Sequence, residues 1–143
     1  MANFLALDYD DSDLQSVIDG LADRLGDLRP AMVEIGEYML LATRDRFDGE
    51  HDPSGNPWTP LSPSYAKAKS RKPSALRGIL TLSGQLRDTI TYEALPEAVV
   101  IGSNKIYAAT HQLGRDSIPA RPFLGVNEAD RSGITEILRD YLE

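Results

Sequence analysis

The stretch "DTITYEALPEAVVIGS", residues 88–103, decides the fold class. Ile90, Tyr92 and Ala94 alternate with Thr89, Thr91 and Glu93, the two-residue period of a half-buried strand. "EAVVIGS" (97–103) is rich in strand-forming residues, and "LPEA" separates the two runs. Two short strands around a turn read as an antiparallel hairpin, the strongest such signal in the chain.

Working outward, most of the remaining pattern is helical. "NFLALDYD" (3–10) places Phe4, Ala6 and Asp8 on one side and Leu5, Leu7 and Tyr9 on the other, a short strand or extended arm. Asp11 or Ser12 then caps a helix whose stripe is Leu14, Val17, Ile18, Leu21 and Leu25, with Gly26 as its stop. A second helix starts near Pro30 and runs to about Phe47. Its apolar surface, Met32, Val33, Ile35, Tyr38, Met39, Leu41, Ala42 and Phe47, is broad enough for burial on two sides, against the fold and against a neighbouring subunit. Ser62 and Pro63 open a short helix, 72–80 reads as loop, and Leu82 and Leu86 share a helical turn capped by Ser83. After the hairpin, "NKIYAATHQLG" reads as a helix capped by Asn104 and closed by Gly114. "RDSIPARPFLGV" is an extended loop. Asn127 caps a last helix with the stripe Ile134, Ile137, Leu138 and Tyr141. The sum is a small α+β domain: two N-terminal helices, a short antiparallel β-hairpin and a C-terminal helix. At 143 residues it is read as one domain, 1–143.

One loop stands apart. "DPSGNPWTPLSP" (52–63) sets the only tryptophan among four prolines. Prolines limit the unfolded chain's freedom, so fixing such a loop costs less. Trp58 then reads as the peg that pins the loop to the helical layer, with Leu61 beside it. Its far side meets either the core or a neighbouring subunit.

Composition is that of an ordinary globular chain, 41% hydrophobic and 26% charged. There is no cysteine, so disulfides and cysteine metal sites are excluded. The start lacks a basic leader, and no segment is apolar for long enough to span a membrane. Net charge is −7 but unevenly spread. Residues 1–63 carry 13 acids and 4 bases, 64–87 carry 6 bases and no acid, and 88–143 carry 9 acids and 5 bases. Segregation of this kind is either a solvated face or complementarity between copies or with a partner. Specific nucleic-acid binding fits poorly, because the basic run is short and the protein is acidic.

Searches for chemistry return little. "DGEHD" (48–52) clusters Asp48, Glu50, His51 and Asp52 without calcium-loop spacing, and a polar loop explains it. There is no G-x-S-x-G and no phosphate-binding glycine pattern. The expectation is a protein that is not an enzyme, with no catalytic residues, cofactor or metal. His111, one helical turn after Tyr107, reads as a partly buried histidine or a subunit-contact residue whose charge responds to pH.

Several separated motifs together resemble the phage virion morphogenesis family of tail-completion proteins. They are "RF…DPSGNPWTPLSPSYAKAK", "ILTLSGQLRDTITY", "VVIGSNKIYAATHQLG" and "IPARPFLGVNEAD", spanning Phe47 to Asp130. Trp58, Pro60 and Leu61 match the family's W-x-P-L element; Gly84 and Leu86 match its turn. Tyr107, Ala108, His111, Gln112 and Gly114 match a further element, and Arg121, Pro122, Phe123 and Leu124 match its "RPFL" run. The resemblance implies an α+β structural protein of the virion neck that completes the tail and joins it to the head. It implies a hexameric ring assembled in the bacterial host's cytoplasm, contacting connector and tail-tube proteins, with DNA passing through. The alternatives are an assembly factor that leaves the particle, and a small phage hydrolase built on the 48–52 acids. The interaction residues expected are Trp58, Leu61, Tyr107, His111, Arg121 and Phe123. Arg and Phe are types enriched at interface centres, although Phe123 could instead close the domain's own core.

Overall fold

The structure is a computed structural model, and it describes residues 11–59, 85–103, 108–114 and 119–141. The elements are α1 (Ser12–Leu25), α2 (Arg29–Gly49), α3 (Gln85–Asp88), β1 (Thr91–Ala94), β2 (Val99–Gly102), α4 (Ala108–Leu113) and α5 (Glu128–Asp140). This is the small α+β arrangement expected. The arm 3–10, the helix opened by Ser62 and the loop 72–80 lie outside the described residues, as do Leu82, Ser83 and Asn104.

α1 starts where Asp11, in extended conformation, accepts the Leu14 N–H at 3.0 Å. It stops at Gly26, whose φ of 79° suits a residue without Cβ. Its stripe is narrower than expected. Leu14 and Leu21 are buried and Ile18 is partly buried, while Val17 and Leu25 are exposed. Val17 sits on the stripe's flank, and Leu25 lies in the last turn, where the chain departs for α2.

α2 is the spine. Its 21 residues span about 31 Å at the helical rise. Met32, Ile35, Met39 and Phe47 are buried, with Thr43 and Arg46 on the same side. Val33 and Leu41 are exposed, so the fold itself uses one side of the apolar surface.

The hairpin crosses α2. β1 and β2 pair antiparallel with Tyr92 opposite Ile101 and Ala94 opposite Val99. These four side chains share the inner face, and the Tyr92 ring lies on Gly36. A Cβ at Gly36 would come within 2.3 Å of that ring, so only glycine permits the approach. The Tyr92 hydroxyl donates to Glu37 at 2.7 Å.

α5 packs on α2 in the same manner. The Tyr38 ring lies against Gly133, where a Cβ would stand 2.6 Å away, and its hydroxyl donates to the Ala129 carbonyl at 3.2 Å. Asn127 caps α5 through a reciprocal box with Asp130. Ile134 and Leu138 are buried, and Ile137 and Tyr141 are partly buried.

Two apolar clusters result. The larger joins α1, α2 and α5 through residues such as Leu21, Met32 and Leu138. The smaller gathers Phe47, Trp58, Ile90, Ala108, Phe123 and Leu124 at the far end of α2. Ile101 of β2 touches both.

Candidate functional site

The smaller cluster is built where the loop after α2 meets the extended run 119–127. The loop is closed by its own backbone. Asp52 heads a turn: its carbonyl accepts the Gly55 N–H at 3.0 Å and its Oδ1 accepts the Asn56 N–H at 2.9 Å. His51 and Pro57 form an antiparallel bridge, and the Trp58 N–H donates to the Glu50 carbonyl at 2.8 Å. The chain that leaves α2 therefore returns to it, delivering Trp58 onto Phe47. Their rings meet edge to face at 5.4 Å, and Phe123 lies 5.2 Å from Phe47 on another side.

Trp58 is 4% exposed, and its indole N–H donates to the Pro122 carbonyl at 2.7 Å. Its far side thus faces the chain's own core. Phe123 is fully buried in the same cluster. Arg121 is also buried; its Nε donates to the Thr59 carbonyl at 2.8 Å, and burial pushes its pKa below the ordinary value.

Four further side chains hold the 121–127 run, and the sequence reading did not count them among its site residues. Gln112 acts as a substitute strand: its Oε1 accepts the Phe123 and Leu124 N–H groups, both at 3.0 Å, and its Nε2 donates to the Leu124 carbonyl at 3.0 Å. Arg46 donates to the Phe123 carbonyl at 3.1 Å and the Gly125 carbonyl at 2.9 Å, and forms an ion pair with Asp130. Both side chains of that pair are almost wholly buried. Asp130 also accepts the Asn127 N–H at 3.1 Å, so one carboxylate caps α5 and neutralises Arg46. Asn127 completes the fastening by donating to the Pro53 carbonyl at 2.7 Å. An extended segment has few backbone bonds of its own, and here side chains supply them.

Of the expected residues, the structure brings together Trp58, Arg121 and Phe123. His111 lies on α4, with its side chain outside the described residues. Leu61 and Tyr107 also lie outside them.

The acids of 48–52 have separate duties. Asp48 takes a two-pronged ion pair from Arg87, at 3.0 and 3.1 Å, which holds the arginine's pKa above its ordinary value. Asp52 heads the turn described above. Among the described residues, no three histidine or acidic side chains converge to hold a metal ion. No helix among them is long and apolar enough to cross a membrane.

Comparison with known proteins gives this arrangement a family. The model of the phage virion morphogenesis family matches residues 9–143. The chain is 32% identical over 110 residues to the putative capsid assembly protein G of Escherichia phage Mu, covering 71% of this chain and 70% of that one. It is 30% identical over 139 residues to the Mu-like prophage FluMu G protein 1 of Haemophilus influenzae, covering 94% and 92%. A second FluMu G protein from that organism is 28% identical over 138 residues. No solved structure matches. The chain belongs to the phage virion morphogenesis family, a family of phage assembly rather than of known enzymes, and its role is in building the phage particle.

Proposed function

We propose that this member of the phage virion morphogenesis family is a structural subunit of the virion neck. It completes the tail and joins it to the head as one subunit of a closed, hexameric ring. The observation that carries the reading is apolar surface on α2 that the fold leaves uncovered. Leu41 is 59% exposed and lies opposite the buried stripe of that helix. Val33 is exposed on the same helix, and Leu113 is 67% exposed at the end of α4. Single exposed apolar residues are common, but here they accompany a strong separation of charge along the chain. The acidic 1–63 and basic 64–87 segments suit a head-to-tail contact between copies, the kind that closes a ring. The buried clamp around Trp58 and Phe123 supplies the rigid body that such a subunit needs.

The second reading is an assembly factor that leaves the particle, favoured by the phage Mu relative's name as a putative capsid assembly protein. Counting copies of the chain in purified, infectious particles separates the two. The neck reading expects a small fixed number per particle, present on tails as well. Absence from mature particles would leave the assembly-factor reading.

A further inference from the structure

Among the described residues, the arginines that lie wholly or partly inside the fold are Arg44, Arg46, Arg87, Arg121 and Arg131. Arg46 pairs with Asp130, Arg87 with Asp48 and Arg131 with Asp11, and Arg121 donates to the Thr59 carbonyl. Arg44 is the exception: its Nε is buried and bonds to nothing. A buried guanidinium N–H without an acceptor costs free energy, so an acceptor from outside the subunit would stabilise it. Asp48, one helical turn on, already holds Arg87 in a two-pronged pair. Asp45 is adjacent in sequence and so on another side of the helix. Leu41 precedes Arg44 by one turn and Val33 by about three turns. The unpaired guanidinium therefore shares its side of α2 with the two exposed apolar residues of that helix.

We infer that this side of α2 receives the outward face of α1 from a second copy of the chain. The inference rests on the proposed meeting of copies in a ring, and not on the ring's place in the neck. The occupant follows from chemistry: it has to bring a carboxylate to Arg44 and apolar contact to Leu41. The outward side of α1 carries Asp13, Val17 and Asp23, all exposed. Gly20, a turn beyond Val17, has nothing within 4 Å of where a Cβ would stand, which leaves a shallow seat for Leu41. The exposed positions of α5, among them Glu128, Ala129, Ser132 and Glu136, offer acids but no large apolar side chain. Position agrees as well. Leu14 and Leu21 of α1 and Met32, Ile35 and Met39 of α2 face one shared cluster, so the outward faces of the two helices turn away from each other. A contact between opposite sides of a subunit is head-to-tail, and it can continue from copy to copy until it closes. An acidic face meeting an unpaired cation also fixes the register of the contact.

The absence of native cysteine makes the test direct. Two forms of the full chain, Leu41→Cys and Val17→Cys, would be made together in cells producing the phage and treated with a short bis-maleimide. Packed helices lie about 8–10 Å apart, within its reach. Linked dimers are expected where both forms are present and not with either alone. Arg44→Glu, added to the Leu41→Cys form, sets like charges face to face and should cut the linked product about tenfold. Asp13→Lys or Asp23→Lys in the Val17→Cys form should restore it, and that rescue also shows that Arg44→Glu folds. Linked product from Leu41→Cys alone, none from the mixture, an unchanged yield with Arg44→Glu, or rescue by neither lysine would each overturn the inference. Because linking is read during assembly, absence of the chain from mature particles would remove the neck reading and leave this contact standing.

Discussion

At the scale of single residues, two buried side chains hold the clamp, and each makes a measurable prediction. Trp58 fills the space between Phe47 and the 121–124 run and donates to the Pro122 carbonyl. Trp58→Ala should lower unfolding free energy by about 3–5 kcal/mol, and Trp58→Phe by less, as the ring stays but one hydrogen bond goes. Urea denaturation followed by circular dichroism reads both; an unchanged midpoint for Trp58→Ala would contradict the peg role. Arg46→Met should cost about 3–5 kcal/mol, because Asp130 is left charged and buried without its partner. In an Asp130→Asn background that loss should shrink, which a double-mutant cycle measures. The tryptophan was legible in sequence, since a large aromatic among prolines has to be held by something. Arg46 was half legible: it continues the three- and four-residue spacing of Met32, Ile35, Met39 and Thr43. Its partner lies 84 positions away, and no local pattern joins the two.

At the scale of elements, α2 meets both its neighbours through tyrosine rings that lie on glycines, Tyr92 of β1 on Gly36 of α2 and Tyr38 of α2 on Gly133 of α5. Gly36→Ala should destabilise, since overpacking costs about 1–3 kcal/mol while the gain in helix propensity is at most about 1. Gly20→Ala on α1 is the control: nothing lies within 4 Å of the added carbon, so a gain of up to about 1 kcal/mol is expected. Thermal melts of the two variants should move in opposite directions. The same tyrosines set a response to alkali. Burial raises the Tyr38 pKa, with Asp130 adding to it, and burial likewise raises that of Tyr141 near Glu34. The hydrogen bond to Glu37 raises that of Tyr92. A raised pKa means that folding favours the neutral phenol. The stability this gives is complete below the ordinary value of 10.0 and is lost as pH rises through the folded values. Denaturation midpoints should therefore hold up to about pH 10 and fall above it, and Tyr38→Phe should weaken the fall. The hairpin, the Asp11 and Asn127 caps and the span of α2 were legible because period and capping are local. The exposure of Val17 and Leu25 was not, because periodicity names a helix face without saying where its neighbours end.

At the scale of the whole molecule, the fold leaves apolar side chains outward on α2 and α4, where the proposed ring would set a neighbouring copy. Leu41 touches little of the fold, so Leu41→Glu should leave stability within about 0.5 kcal/mol. If that side of α2 meets a neighbouring copy, the same change should sharply lower the yield of infectious particles in a complementation assay. Full infectivity would show that the ring contact lies elsewhere. The reading that matters most concerns place. A density map of the intact neck, with this chain fitted by its α2 spine and hairpin, tests it directly. The expected result is a closed ring of six copies between head and tail, with α2 of each copy against its neighbour. Copies found in the head shell, or no density for the chain in the mature particle, would contradict it.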